Sequence, residues 1–493
     1  MSAQALTPEP AMTRRPVDIE ARAAIDASCS RPVMAFLVSA VAWLLVGTVL
    51  AMVASLKMHW PEFLADRSWL AFGRVRPAHL NAVTYGWASM AGIGVVLWMQ
   101  ARLSRVTLSF PRVLTATAIL WNLVVAGGIA GILGGYHTSV EWIEFPFPVA
   151  LSLGVLFAVF AVISFYTFAR RRATHVYVTQ WYMFGAILWF PYLYLVANVM
   201  IHLGQARGVA QASTNWWFAH NVLGLWLTPI GVGAAYYLIP KVIGRPIHSY
   251  YLSILGFWSL ALFYNWSGTH HLIGGPLPAW LITIGIIGSM MMFVPVITVA
   301  INHHLTMVGS FHMLKTSPTL RFVVAGAMMY TAVSVQGSLQ SLRTLNEVTH
   351  FTHYTVAHAH LGVYGFFTMI MFGCCYYIMP RLTGVEWSSA LLIKIHFWSV
   401  LIGIALYFAP LTAGGFVQGL MMNDPAIPFI DTVRHTIPYL WVRSGAGVLL
   451  SVGHLVFALL VVRMLAEWRR RAGEPEREAL LSRAASGEEV ATA

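Results

Sequence analysis

The chain has 493 residues, 58% of them hydrophobic and only 10% charged, whereas a soluble globular domain carries roughly 25% charged residues. That balance excludes a water-soluble globular protein. The net charge of +12 would suit a polyanionic partner, but the basic residues are spaced for another purpose, and no nucleic acid is expected.

A helix crossing the hydrocarbon core needs about 20 apolar residues, and about 12 such blocks follow one another along the chain. They lie near residues 33–55, 77–101, 113–135, 147–169, 177–202, 216–239, 249–270, 279–301, 321–341, 354–379, 391–412 and 440–462. Lipid offers no partners to the backbone, so only helices or closed barrels span it, and runs this long mean helices. The expected fold is all-α, a polytopic membrane bundle of about 12 transmembrane helices surrounded by membrane lipid. Residues 1–32 read as a polar cytoplasmic N-tail, 33–465 as the membrane domain and 466–493 as a cytoplasmic C-tail, with 1–30 and 472–493 disordered or loosely structured. The connections at 56–76 and 413–438 are the longest on the outer side and are expected to form a docking surface.

The basic residues fall at one end of the spans. Arg14, Arg15, Arg22 and Arg31 precede the first, and Arg102, Arg105 and Arg112 fill the second connection. Arg170, Arg171 and Arg172 fill the fourth, and Arg469, Arg470 and Arg471 follow the last. By the positive-inside rule these ends, with both termini, face the cytoplasm. The polar tail and the length of the first span argue against a cleaved signal peptide. Cys29, Cys374 and Cys375 suggest no disulfide framework. No Cys-x-x-Cys-His occurs, so the chain does not attach a c-type haem itself.

Ionisable residues inside a membrane are costly and mark function. Of the 19 histidines, His59, His175 and His454 fit interfacial or hydrogen-bonded roles. Six others share one depth once the arginines have fixed the orientation. His79 begins the second span and His220 the sixth, His270 and His271 close the seventh, and His358 and His360 open the tenth. At about 100° per residue, His358 and His360 point about 200° apart, so one helix can ligate a macrocycle on each side. Imidazole is an axial ligand of haem iron, and His79 could complete one such site. His270 and His271 with His220 make a three-nitrogen site suited to copper.

These residues stand in motifs that resemble the haem–copper oxidase superfamily, and within it the cbb3-type cytochrome c oxidase catalytic subunit, over about residues 33–465. The motifs are Gly73-Arg-Val-Arg-Pro-Ala-His79-Leu-Asn, Trp216-Trp-Phe-Ala-His220-Asn, Tyr264-Asn-Trp-Ser-Gly-Thr-His270-His271 and His358-Ala-His360. The resemblance implies that His79 and His360 ligate a low-spin haem b and His358 a high-spin haem b, where oxygen binds. It implies that His220, His270 and His271 hold copper. Tyr264 matches the family's tyrosine, which is joined covalently to the sixth-span histidine, here His220, and supplies an electron and a proton. Electrons are expected from cytochrome c through separate c-type cytochrome subunits on the outer side of a bacterial cytoplasmic membrane.

Taking Tyr250 as the origin, Ser253, Tyr264 and His271 fall within about 60° on a helical wheel. The rise from Tyr250 to Tyr264 is ~21 Å, so this stripe reads as a proton-uptake path; the plain alternative is that such hydroxyls satisfy the backbone. Asn302, Thr306 and His312 resemble further members of the family's proton channel. Glu141 and Glu144 are similar to acidic residues near a calcium and haem-propionate site, although two glutamates are also an ordinary solvated loop. Arg76 and Arg443 lie where they could pair with haem propionates, with interfacial anchoring as the alternative.

The family usually carries a glutamate where this chain has Gln336, and a glutamine exchanges no proton near neutral pH. The rival reading is nitric oxide reductase, a relative using iron in place of copper. Its sixth-span glutamate would fall at Gly224, its eighth-span glutamate is missing from 288–296, and it lacks the tyrosine, whereas residues 350–384 look somewhat reductase-like. A twelve-helix secondary transporter would instead place broken helices and charges near the midplane.

Overall fold

The computed structural model describes residues 19–471, which are helical with no strand among them. Among the described residues, eleven helices are long and apolar enough to cross a membrane. In chain order, with one shorter helix, they are α1 (Ile19–Lys57), α2 (Phe72–Ser104), α3 (Pro111–Gly134), α4 (Phe147–Ala169), α5 (Val178–His202), α6 (Val209–Ile243), α7 (Tyr250–Tyr264), α8 (Ala279–Met307), α9 (Pro318–Gln340), α10 (His353–Thr383), α11 (Ala390–Asn423) and α12 (Phe429–Arg470). This is an integral multi-pass membrane protein.

Three expectations need correction. The seventh block is not a full helix: α7 has 15 residues, about 22 Å against a hydrocarbon core of about 30 Å. The chain leaves α geometry after Tyr264 and winds into a tighter 3₁₀ turn, Ser267–Leu272. The expected loose tail is already α1 from Ile19 onward, with Asp26, Cys29 and Ser30 buried; residues 1–18 and 472–493 lie outside the described residues. The outer connection at 413–438 shrinks to residues 424–428, because α11 and α12 both extend past their apolar blocks.

Local chemistry sets the helix ends. Ser249, Ser317 and Ser389 open α7, α9 and α11, each accepting a hydrogen bond from the backbone N–H three residues on and so satisfying a group the helix leaves free. At the same end of the bundle α2, α6 and α10 stop on left-handed residues, Arg105, Gly244 and Gly384.

Those three helices are the core. Their apolar windows are 94%, 89% and 83% buried, against 33–50% for the other long spans, whose remaining surface is left for lipid. They also match one another in register, a repeat too faint to see in the sequence alone. Gly94, Gly233 and Gly373 correspond, as do Trp98, Tyr237 and Tyr377, and Arg102, Lys241 and Arg381. Each of the glycines admits a neighbour where a Cβ would stand: Leu37 of α1, Tyr182 of α5, and Val323 and Phe322 of α9. The Trp98, Tyr237 and Tyr377 rings meet with centroids 5.8, 5.9 and 6.5 Å apart. Trp226 Nε1 donates to Ser89 Oγ (3.1 Å) and Trp87 Nε1 to Thr368 Oγ1 (2.8 Å), linking α6 to α2 and α2 to α10. The corresponding residue on α10, Phe366, has no N–H to close the cycle.

Candidate metal centre

Each core helix changes winding beside its histidines. π-Helical stretches run over Ala82–Ala88, Val222–Leu227 and Leu361–Thr368, just inward of His79, His220 and His360. A π bulge widens the turn and re-aims the side chains that flank it, which is why such segments gather at functional sites. Nothing in the sequence pattern marks them.

The 3₁₀ turn after α7 carries two adjacent candidate ligands, His270 and His271. Here the His270 and His271 ring centroids lie 4.3 Å apart, and 4.9 and 5.4 Å from His220. One ligand nitrogen from each falls within 4.8 Å of the others, the only such group of three among the described residues. Ser289 Oγ donates to Gly285 O (2.9 Å), so it must accept from His270 Nδ1 (2.6 Å). That fixes the tautomer and leaves Nε2 as a bare lone pair. His220 Nδ1 is buried without a partner. Three neutral imidazoles with uncommitted nitrogens fit copper or another imidazole-binding metal.

Tyr264 stacks on His220, centroids 4.3 Å apart and planes 28° from parallel. Its ring fills the space that a Cβ on Gly224 would enter. Because α geometry ends at Tyr264, the wheel that joined Tyr250, Ser253 and Tyr264 holds, but its extension to His271 does not.

The remaining three histidines are held the same way. His79 Nδ1 donates to Gly47 O of α1 (2.9 Å) and His360 Nδ1 to Val356 O (2.8 Å). His358 Nδ1 faces Gln336 Oε1 at 3.3 Å. An outer-shell acceptor on Nδ1 is the usual way of presenting Nε2 to a metal. His360 lies against the Tyr407 ring, 4.4 Å between centroids, and its Nε2 meets the Tyr407 hydroxyl at 3.2 Å. Arg443 sits over the other part of this cluster, 5.6 Å from the Tyr407 centroid, with a buried Nε lacking a partner. These donors fit haem iron with carboxylates nearby.

The outer acids separate. Glu141 pairs with Arg76, which is therefore engaged by a carboxylate of this chain. Glu144 is 3% exposed; one oxygen accepts from Asn81 Nδ2 (3.0 Å) and the other has no partner. Burial pushes its carboxyl up to about 7. It is no solvated loop residue, and the two glutamates do not form a three-donor group.

In the predicted proton path the hydroxyls of Tyr250 and Ser253 serve backbone carbonyls, Val176 O (2.8 Å) and Tyr250 O (2.6 Å). Asn302 bridges Ser249 O (2.7 Å) and the Tyr236 hydroxyl (3.4 Å), and Thr306 accepts from the His248 N–H (3.0 Å). His312 is exposed at the basic end. From Asn302 the polar file turns to two residues that sequence reasoning missed: Tyr236 and His303, ring centroids 4.5 Å apart. His303 Nε2 is buried without a partner.

Fold and site together define a polytopic membrane protein built around a three-histidine metal site. The chain belongs to the cytochrome c and quinol oxidase polypeptide I family, whose model matches residues 31–449. It is 32% identical over 436 residues to the cbb3-type cytochrome c oxidase subunit CcoN1 of Stutzerimonas stutzeri, covering 86% of this chain and 92% of that one. It is also 30% identical over 262 residues to a nitric oxide reductase chain of the same organism, but over 48% and 52% of the two chains. A cryo-EM structure of a heme-copper terminal oxidase dimer shares the fold, with TM-score 0.69 at 16% identity over 90% of this chain and 84% of that one.

Proposed function

We propose that this chain is the catalytic subunit of a cbb3-type terminal oxidase of a bacterial cytoplasmic membrane. It would reduce O2 to water with electrons that cytochrome c delivers through c-type cytochrome subunits, while taking up and translocating protons. The observation that carries this reading is the Tyr264 ring, which stacks on His220 beside the histidine trio and fills the side-chain space at position 224.

His79 and His360 would hold a low-spin haem b, His358 a high-spin haem b, and His220, His270 and His271 copper. When bound, these groups supply electron transfer and the binding and reduction of oxygen. The chain's own residues do the rest. Nδ1 bonds to Gly47, Val356 and Ser289 keep three ligands in one tautomer. Tyr264 stands within reach of the trio to give a proton and an electron. Protons would come from the basic end past Thr306, Asn302, Tyr236 and His303, with Tyr250 and Ser253 shaping the same face and His312 at its mouth. Arg443 and Arg76 would neutralise haem carboxylates, and Arg76 would have to leave Glu141 to do so. Glu144, with one bare oxygen, would contribute to a calcium site only in its ionised form.

The nitric oxide reductase relative supports a second reading. That reading needs a metal-binding glutamate at position 224, and any side chain there collides with Tyr264. Metal analysis beside a reduced-minus-oxidised spectrum separates the two. Two b-type haems with one copper per chain are expected; a third iron and no copper would move the assignment to nitric oxide reduction.

A further inference from the structure

Two buried histidines, His396 and His454, take no part in the chemistry above. His454 of α12 is 4% exposed, and both of its nitrogens meet hydroxyls. The Thr48 hydroxyl donates to Leu44 O (2.7 Å), so its oxygen must accept from His454 Nδ1 (2.7 Å). A neutral imidazole has one N–H. Nε2 is therefore a lone pair, and the Tyr364 O–H donates to it at 2.6 Å. The other buried pair, Tyr376 with His396 Nδ1 (2.8 Å), has no third group to fix its tautomer, since His396 Nε2 is without a partner.

Tyr364 lies four residues inward of His360, in the π-helical stretch Leu361–Thr368, so the two side chains share a face of α10. Thr48 follows Gly47, the acceptor of His79. The Tyr364–His454–Thr48 chain thus ties α10, which carries His360, through α12 to α1, whose Gly47 accepts from His79. Its surroundings are apolar, with Phe372 centred 6.5 Å from Tyr364 and 6.2 Å from His454.

We propose that Tyr364 is a second redox-active phenol of the enzyme, with His454 as its proton acceptor; this rests on the oxidase reading. A phenol that loses an electron alone becomes a strongly acidic cation, costly in an apolar interior. A base already hydrogen-bonded to the hydroxyl removes that cost. The balance is one electron and one proton. The electron goes to the metal centre that oxygen has oxidised, the Tyr364 O–H bond breaks, and the proton passes to His454 Nε2. The imidazolium keeps its Nδ1–H on Thr48. The next electron from the cytochrome donor reduces the tyrosyl radical as the same proton returns. Tyr364 thereby holds one oxidising equivalent while the donor is re-reduced.

The test treats the oxidised, purified complex with hydrogen peroxide, freezes it and records the radical by electron paramagnetic resonance, using protein grown with ring-deuterated tyrosine. In Tyr264→Phe, which removes the other phenol at the centre, a signal that narrows on deuteration should persist. Adding Tyr364→Phe should abolish it, and adding His454→Gln instead should lower its yield severalfold while both haem spectra stay intact. The proposal is overturned if Tyr264→Phe protein carrying both haems gives no tyrosyl signal, or if the signal survives Tyr364→Phe. Absence of any b-type haem would instead remove the oxidase reading itself.

Discussion

At the level of single residues, the histidines differ in what their ring nitrogens meet. A structural histidine such as His454 spends both nitrogens on hydroxyls. Of the predicted ligands, His79, His270, His358 and His360 place Nδ1 on a carbonyl, a serine oxygen or an amide, while His220 Nδ1 has no partner and His360 Nε2 also meets the Tyr407 hydroxyl. The six candidate ligands stand out in the sequence because they fall at one depth, four of them as two close pairs, a pattern that packing alone does not demand. The sequence could not reveal Tyr236 or His303, since one tyrosine in an apolar helix looks like any other and only the Asn302 contact sets it apart. Tyr264→Phe keeps the ring that stacks on His220 and loses the hydroxyl. Both haems and the copper should remain while oxygen consumption falls by at least about 100-fold, the scale of one positioned proton donor. Unchanged turnover would sink that role.

Gln336 gives a second residue-scale test. Its neutral amide faces His358 Nδ1, where a carboxylate would make a charge-assisted bond roughly twice as strong. Gln336→Glu should push electron density toward Nε2 and favour the oxidised iron by about 1 kcal/mol, roughly 40 mV for a one-electron couple. Redox titration of the haem proposed on His358 should show the lower potential, and resonance Raman a stiffer iron–histidine stretch. A potential that does not move means the 3.3 Å contact carries no electronic weight.

At the scale of elements, apolar blocks gave the helices but not where their winding changes. A run of hydrophobic residues is equally compatible with α, π and 3₁₀ geometry, so the break after Tyr264 and the three π stretches left no trace in composition. Yet these are the features that flank the candidate ligands: the 3₁₀ turn carries His270 and His271, and the π stretches follow His79, His220 and His360. The inner end of α1 was missed for the opposite reason. Its residues are polar, but the polarity is spent internally: Asp26 accepts from Trp98 Nε1 (2.9 Å) and pairs with Arg102 (2.8 Å). The two side chains are 0% and 6% exposed, so this is a buried pair, and losing one partner of such a pair costs about 3–5 kcal/mol. Asp26→Asn keeps the shape and removes the charge. It should lower the melting temperature of the detergent-solubilised protein clearly, while a surface change such as Asp431→Asn, in the exposed pair with Arg434, should leave it within experimental scatter.

For the whole molecule, the bundle was legible because lipid permits so few solutions, whereas its inner order was not. The threefold register of α2, α6 and α10 rests on a few glycines, aromatic residues and cations spread over the length of the chain, too sparse to stand out before the rings are seen to meet. That register also bears on orientation. Arg102, Lys241 and Arg381 lie at one end of the core and the candidate metal centre toward the other, so the protein is polar along its axis. The positive-inside rule assigns the cationic end to the cytoplasm. In that orientation the proposed proton path would open at the cytoplasmic Thr306–Asn302 end while electrons would arrive at the histidine end, and reduction of oxygen alone would separate charge across the membrane. A reporter fused after Ala493 decides this. Green fluorescent protein should fluoresce there and alkaline phosphatase should be inactive, since one matures in the cytoplasm and the other needs the disulfides of the periplasm. The reverse pattern would exchange the sides of proton uptake and electron delivery and reverse the sign of the charge separation, while leaving the candidate metal centre as it is.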